Sequence, residues 1–315
     1  MNAPVTMRAR VERYLAERRH AGYALRIEGQ QLLRFAEFAE QCGHQGPLTL
    51  DLAVRWATAS PRPSPLTAPR RLEVLRGLAR FWQHLEPGTQ VPPRRLLGRG
   101  HRRLTPHIYT EGEIRALLNA TKKLHPPGSL RALCCRAIFG LIAATGLRLS
   151  EATGLTREDV DLAQGVLLIR HTKFGKSRWV PLHPTTTRVL RRYAQIRDRD
   201  PRAAPSEAFF VGDAGRPARP RNIEYAFAQL RRRLQWTARG GHPAPRIQDL
   251  RHTFVCRTLQ RWYADGLDID RHILALSTYV GHAKVTDTYW YVTAIPDLMA
   301  IAARRFEYFA EGMQP

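Results

Sequence analysis

The residues best equipped for chemistry lie near the end of this 315-residue chain, in the stretch that opens PRIQDLRHTF and runs past Tyr291. Arg251 follows Gln248 by three positions, so the two share a helical face. His282 comes next, after Gly281, and then two tyrosines, Tyr289 and Tyr291, on either side of Trp290. An Arg, a His and a Tyr on separate short helices suit metal-free attack on a phosphate. The guanidinium forks the non-bridging oxygens, the imidazole hydrogen-bonds, and the phenol forms a covalent link. Attack on a phosphodiester adds charge to oxygens that are already anionic, and cationic side chains must stabilise it where no metal motif is present. Arg148, inside TGLRLSEATGL, supplies a second guanidinium. Ionising a tyrosine of reference pKa ~10 at neutral pH costs about 4 kcal/mol, which two nearby Arg charges would offset in large part. Sequence physics alone does not choose between Tyr289 and Tyr291, which two residues apart face different ways.

The elements that must carry these side chains are mostly helical. Leu250, Phe254, Val255, Leu259 and Trp262 recur at helical spacing after Gln248, and Asp265-Gly266 ends that helix. Upstream, Thr110 with Glu113 forms a capping box for a helix to about Lys123. Ser129 caps the next helix, whose stripe is Leu133, Ala137, Ile138, Leu141 and Ile142, and Gly146 stops it two residues before Arg148. Runs at 160–162, 166–169 and 178–182 predict a three-stranded antiparallel sheet. Lys173 and Lys176 fall in or beside its second turn. There Arg170, His171 and Arg178 crowd with them into a finger suited to DNA. Further helices are expected over 185–197, after RPARPRN with Arg221 at its entry, and over 295–309.

Residues 6–86 read as helical throughout, broken by Pro61, Pro63, Pro65 and Pro69. The fold class is therefore mainly α with a small antiparallel β-sheet (α+β), in two domains. Residues 1–90 form a helical N-terminal domain, 91–106 a basic linker, and 107–315 the domain bearing the chemistry. The linker carries Arg94, Arg95, Arg99, Arg102 and Arg103, and its Pro and Gly forbid regular structure. A formal charge of +23, from 50 Lys and Arg against 27 Asp and Glu, points to a polyanionic partner, above all nucleic acid. The hydrophobic fraction of 43% permits full cores and excludes wholesale disorder. The start has no apolar run after its charges, and no segment reaches the ~20 apolar residues of a membrane span. Cys42, Cys134, Cys135 and Cys256 show no metal spacing and are expected to be reduced and mostly packed, which fits a cytoplasmic protein without cofactor or zinc.

Taken in order, Arg148, Lys173, Arg251, His282 and Tyr291 resemble the signature of the tyrosine recombinase (phage integrase) family. TGLRLSE resembles its first Arg motif, the hairpin before Val180-Pro181-Leu182 its Lys turn, and QDLRHTF its second Arg motif. The distance from VGH to Tyr291 resembles its His-to-nucleophile spacing, which selects Tyr291 over Tyr289. The first domain is similar in character to the family's core-binding domain. The resemblance implies site-specific cleavage and rejoining of double-stranded DNA through a 3′-phosphotyrosyl link, releasing a 5′ hydroxyl. Lys173 is then the acid for the leaving oxygen, with Lys176 as the fallback. It also implies a dimer on each site and a tetramer in the synaptic complex, with accessory recombinases as further partners, no membrane, and carriage by a mobile element. The last helix resembles the segment that docks onto a neighbouring protomer. One position departs from the pattern. The family usually carries His three residues before the second Arg, and this chain has Gln248, which can hydrogen-bond a phosphate oxygen but cannot carry a proton. His252, directly after Arg251, is read as ordering the fold. Two other activities fit the same residues: a type IB topoisomerase, and a DNA-binding accessory protein with a degraded site.

Contacts to the phosphate backbone are assigned to Arg94, Arg95, Arg99, Arg102, Arg103, Lys176, Arg178 and Arg221. Affinity for duplex DNA is therefore expected to fall steeply with salt, with a log–log slope of about −0.9 per phosphate contact. Replacing the five linker arginines by Ala should flatten the slope measured by salt titration; an unchanged slope would remove the linker from the interface.

Overall fold

A computed structural model of the chain describes residues 5–61, 64–101, 103–170 and 177–294, together with Met299, Ala300, Ala303 and Glu307. The chain forms two compact units that part between Arg103 and Leu104.

The first unit holds four helices, α1 (Met7–His20), α2 (Arg26–Gln41), α3 (Leu50–Thr58) and α4 (Thr67–Gln83). Thr6 and Thr49 cap α1 and α3 by accepting the Ala9 and Leu52 backbone N–H groups. Their apolar stripes meet in one core in which Val11, Leu32, Phe35, Leu52, Leu72 and Leu75 are buried. Arg10 is almost fully enclosed and offsets that cost with a 2.5 Å ion pair to Glu86. Composition marks 91–106 as a free tether, yet its first part packs on α4. Arg76 donates to the Pro92 and Pro93 carbonyls at 3.0 and 2.9 Å, and Arg70 to the Gly100 carbonyl at 2.8 Å. A Pro-rich segment has too few N–H groups to satisfy its own carbonyls, and the α4 arginines supply the donors. Arg94, Arg95, Arg99 and Arg103 stay exposed, while Arg102 lies outside the described residues.

In the second unit α5 (Glu111–Ala120) begins at the expected Thr110–Glu113 capping box and ends in one 3₁₀ turn, Thr121–Lys123. Helix α6 (Leu130–Thr145), capped by Ser129, runs through the middle of the core, packed by α5, α8 (Pro184–Asp198) and α10 (Gln248–Ala264). Short α7 (Leu149–Thr153) follows it, and α9 (Pro220–Arg233) completes the larger layer. The sheet is antiparallel in the order β1 (Val160–Asp161), β2 (Val166–Ile169), β3 (Arg178–Pro181). Leu167 opposes Val180, and these two bury one face of the sheet together with Ile169. Finally α10, α11 (Ile269–Val280) and α12 (Thr286–Ala294) gather around a smaller core of Val255, Cys256, Leu259, Leu276, Val280 and Tyr291.

Two glycines hold the site's geometry. Gly146 closes α6 at φ +66° and Gly281 closes α11 at φ +71°, the left-handed conformation that side chains with a Cβ resist. A Cβ at Gly146 would also lie 2.6 Å from the Phe254 ring, and one at Gly281 2.6 Å from the Arg178 guanidinium. None of the four cysteines forms a disulfide; Cys134, Cys135 and Cys256 are buried and Cys42 is exposed. No helix among the described residues is long and apolar enough to cross a membrane. The helix expected over 295–309 lies outside the described residues, apart from four exposed helical positions.

Candidate active site

Arg251 sits in the first turn of α10 and is 2% exposed. That turn is held rigidly. Buried Asp249 pairs with Arg246 at 2.7 Å, its own carbonyl accepts the Thr253 hydroxyl at 2.8 Å, and Thr253 accepts the Tyr109 backbone N–H at 2.9 Å. The Arg251 Nη1 donates to the Gly146 carbonyl at 2.6 Å. Its Nη2 is buried with no hydrogen-bond partner among the described residues. Burial, reinforced by the charge of Arg148, pushes Arg251 down to about 10, so it keeps its proton at neutral pH.

Arg148 starts α7 and is fixed from two sides. Its Nη1 donates to Glu151 at 2.8 Å and its Nη2 to the Gly281 carbonyl at 2.9 Å. Each of the two arginines is thus braced on the carbonyl of a helix-ending glycine. Glu151 also accepts the Arg148 backbone N–H at 3.0 Å and two bonds from Arg178 at 3.2 and 2.9 Å. Arg178 in turn donates to the carbonyls of Tyr279 and Val280. Burial raises the Glu151 carboxyl, but the bonds from Arg178 and Arg148 outweigh it and the net displacement is downward. Arg178 is therefore not the exposed DNA contact that the basic hairpin implies. It is 9% exposed and spent on tying β3 to α7 and α11. Glu151, 27 residues earlier, neutralises it, a pairing that strand periodicity does not reveal.

The tyrosines separate clearly. The Tyr289 hydroxyl is directed at Asp270, donating to it at 2.6 Å, and this bond holds its pKa above the ordinary value. Tyr291 is buried, with its hydroxyl 2.6 Å from Nδ1 of His252. The His282 ring lies parallel to the Tyr291 ring, 6.2 Å between centroids at 12°, and its Nδ1 is 2.7 Å from the Thr288 hydroxyl. Burial pushes His282 down to about 3, helped by the charges of Arg251 and Arg148. Burial likewise pushes His252 down to about 4, against the opposing carboxylate of Asp249. Both imidazoles are neutral at pH 7. Gln248, first residue of α10, is exposed, and the partner of the Tyr291 hydroxyl on this helix is His252. The expectation that His252 only orders the fold misses this contact, because helical spacing does not say which face α12 covers. Lys173 and Lys176 lie outside the described residues, and Arg221 is exposed at the start of α9. No group of three or more His, Cys, Asp or Glu side chains that could hold a metal occurs among the described residues.

The model of the phage integrase family matches residues 108–296, which contain this entire constellation. The chain belongs to that family, the tyrosine recombinases. A putative integrase/recombinase of Sinorhizobium fredii is 38% identical over 306 residues, covering 96% of this chain and 97% of its own. The tyrosine recombinase XerC of Lactobacillus leichmannii is 31% identical over 205 residues, 62% of this chain and 60% of that protein. In fold, the chain resembles the Tn1549 transposon integrase solved with transposon right-end DNA, with a TM-score of 0.65 at 18% identity over 95% of this chain and 99% of that one. For a tyrosine recombinase the Glu151 clamp is a positioning device, and its loss should register in stability. Glu151→Gln breaks a nearly buried pair with Arg178, expected to cost about 3 kcal/mol. The partly exposed Arg148 contact adds little. Because folding lowers the Glu151 pKa, its stabilisation is complete above the ordinary carboxyl value of 4.5 and lost as pH falls through the lower folded value. Melting scans from pH 7 to 3 should show the parent losing stability over that window more steeply than the Gln variant; parallel curves would contradict the clamp.

Proposed function

We propose that this recombinase cleaves and rejoins double-stranded DNA at specific sites through a covalent phosphotyrosyl intermediate on Tyr291. The observation that carries the assignment is the Tyr291 hydroxyl, buried in the same cluster as His252, His282 and the two arginines. Arg251 offers the scissile phosphate a buried Nη2 whose hydrogen bond is unmade, and leaving such a group unpaired costs about 1–3 kcal/mol. Arg148, whose side chain is partly exposed, offers the open part of its guanidinium. Gln248, solvent-facing, hydrogen-bonds a phosphate oxygen in place of the usual His. Lys173 protonates the leaving 5′ oxygen, with Lys176 as the alternative. Neither neutral His adds a positive charge, so the electrostatic stabilisation of the transition state falls to the two arginines together with the lysine acid.

The +23 charge supports duplex DNA as the partner, with Arg94, Arg95, Arg99, Arg102, Arg103 and Arg221 along the phosphate backbone. Exchange of strands between two duplexes requires four nucleophiles, hence a dimer on each site and a tetramer in the synapse, in which the terminal helix docks on a neighbour. The likeness over nearly full length to an integrase/recombinase supports service to a mobile element.

The test uses a pool of nicked duplexes with randomised sequence, from which covalent protein–DNA adduct is recovered on denaturing gels. The parent and Tyr289→Phe are expected to form the adduct, and Tyr291→Phe to bind DNA normally while forming none. An adduct that survives in Tyr291→Phe and disappears in Tyr289→Phe would transfer the role to Tyr289.

A further inference from the structure

Tyr291 must shed a proton as its oxygen bonds to phosphorus, and the position that usually faces that task in this family is filled by Gln248, which has no basic nitrogen. The acceptor has to be unprotonated at neutral pH and within hydrogen-bond distance of the phenol oxygen. Gln248 fails on chemistry. His282 has its Nδ1 engaged by the Thr288 hydroxyl at 2.7 Å, and its ring lies parallel to the Tyr291 ring. His252 meets both conditions. Its Nδ1 is 2.6 Å from the Tyr291 hydroxyl, it sits in the first turns of α10 beside Arg251, and the Trp290 ring, 6.4 Å away, packs over it from the same helix as Tyr291.

Resting on the recombinase reading above, we infer that His252 is the catalytic base of this enzyme, taking the place of the residue missing at Gln248. In the cleavage step the Tyr291 proton passes to Nδ1 of His252 while the phenol oxygen forms its bond to phosphorus. The bond from phosphorus to the 5′ oxygen breaks, and that oxygen takes a proton from the acid assigned to Lys173. The products are a phosphotyrosyl ester, a 5′ hydroxyl, an imidazolium at His252 and a neutral amine at the acid. Rejoining runs the same transfers backward: the 5′ hydroxyl attacks, and Tyr291 leaves with the proton returned from His252.

The charged and titratable groups around the imidazole fit this use. Arg246, Asp249 and Arg251 approach from α10 and the turn before it, His242 from the preceding loop, and His282 and Tyr291 from the α11–α12 side. Burial and the Arg charges keep the ring unprotonated before reaction, and Asp249 is the carboxylate that favours the transient imidazolium.

The discriminating variant is His252→Asn, whose side chain keeps a hydrogen-bonding atom near the Nδ1 position and cannot take up the proton. Single-turnover cleavage is followed on the duplex recovered with the parent protein, from pH 6 to pH 9. At pH 7 the Asn variant is expected to form adduct about 10²-fold more slowly than the parent, with unchanged DNA affinity and melting temperature. Its rate should climb with pH toward the parental value, because tyrosine ionised by solvent needs no acceptor. A parental rate and profile in His252→Asn overturns the inference, and so does a deficit independent of pH that comes with weakened DNA binding or melting. The ¹⁵N-histidine spectrum of the parent gives a second reading that needs no change at His252. An unprotonated Nδ1 resonance that shifts on Tyr291→Phe is expected, and a protonated Nδ1 contradicts the assignment. Absence of any adduct from the parent protein would sink the recombinase reading itself, and the base with it, whereas the Asn result alone decides the base.

Discussion

A guanidinium buried to 2% exposure with one of its nitrogens unpartnered among the described residues is an expensive thing to build, and the second unit is organised around that one group, Arg251. Its other terminal nitrogen needs an acceptor in the core, and the Gly146 carbonyl provides it, presented by a helix end that only glycine adopts without strain. The Gly281 carbonyl does the same for Arg148, so two helix ends that each need a C-cap also supply the acceptors for the two cations. The cost of burial is incurred in the folded protein before any substrate arrives. What it yields is a hydrogen-bond donor that a phosphate oxygen can satisfy in a site already desolvated.

The same burial determines the protonation of everything nearby. His282 and His252 are pushed to about 3 and about 4, chiefly by desolvation and further by the neighbouring Arg charges. A cluster with two permanent cations and two neutral imidazoles separates electrostatic stabilisation from proton transfer. The arginines carry charge, and the unprotonated His252 lies against the Tyr291 hydroxyl. Glu151 completes the balance. By pairing with both Arg148 and Arg178 it offsets part of the charge of three guanidiniums that lie close together.

Most of this fold is legible in the chain because its signals are local. The capping box at Thr110 and Glu113, the Ser129 cap, the Gly146 stop and the three short strand runs each involve residues a few positions apart, and each appears where expected. What escapes sequence reading depends on packing between distant elements. The hairpin looks basic and open, yet Arg178 is neutralised by a carboxylate on α7. The proline-rich stretch after residue 90 looks like a tether, yet α4 arginines bind its carbonyls. Gln248 and His252 lie one helical turn apart, and nothing in the sequence says that α12 places Tyr291 against the second rather than the first. The choice between Tyr289 and Tyr291 has the same origin. Helical periodicity leaves it open and only the family resemblance favours Tyr291, whereas the packing of α12 directs one hydroxyl to Asp270 and the other to His252.

The central claim is that Tyr291 is the atom-level link between protein and DNA, and mass spectrometry of the trapped adduct addresses it without altering any residue. The adduct formed by the parent on a nicked duplex is digested with nuclease and protease, and the peptide spanning α12 is sequenced. A nucleotide phosphate is expected on the Tyr291 oxygen. A nucleotide on Tyr289, or on any residue outside α12, would contradict it.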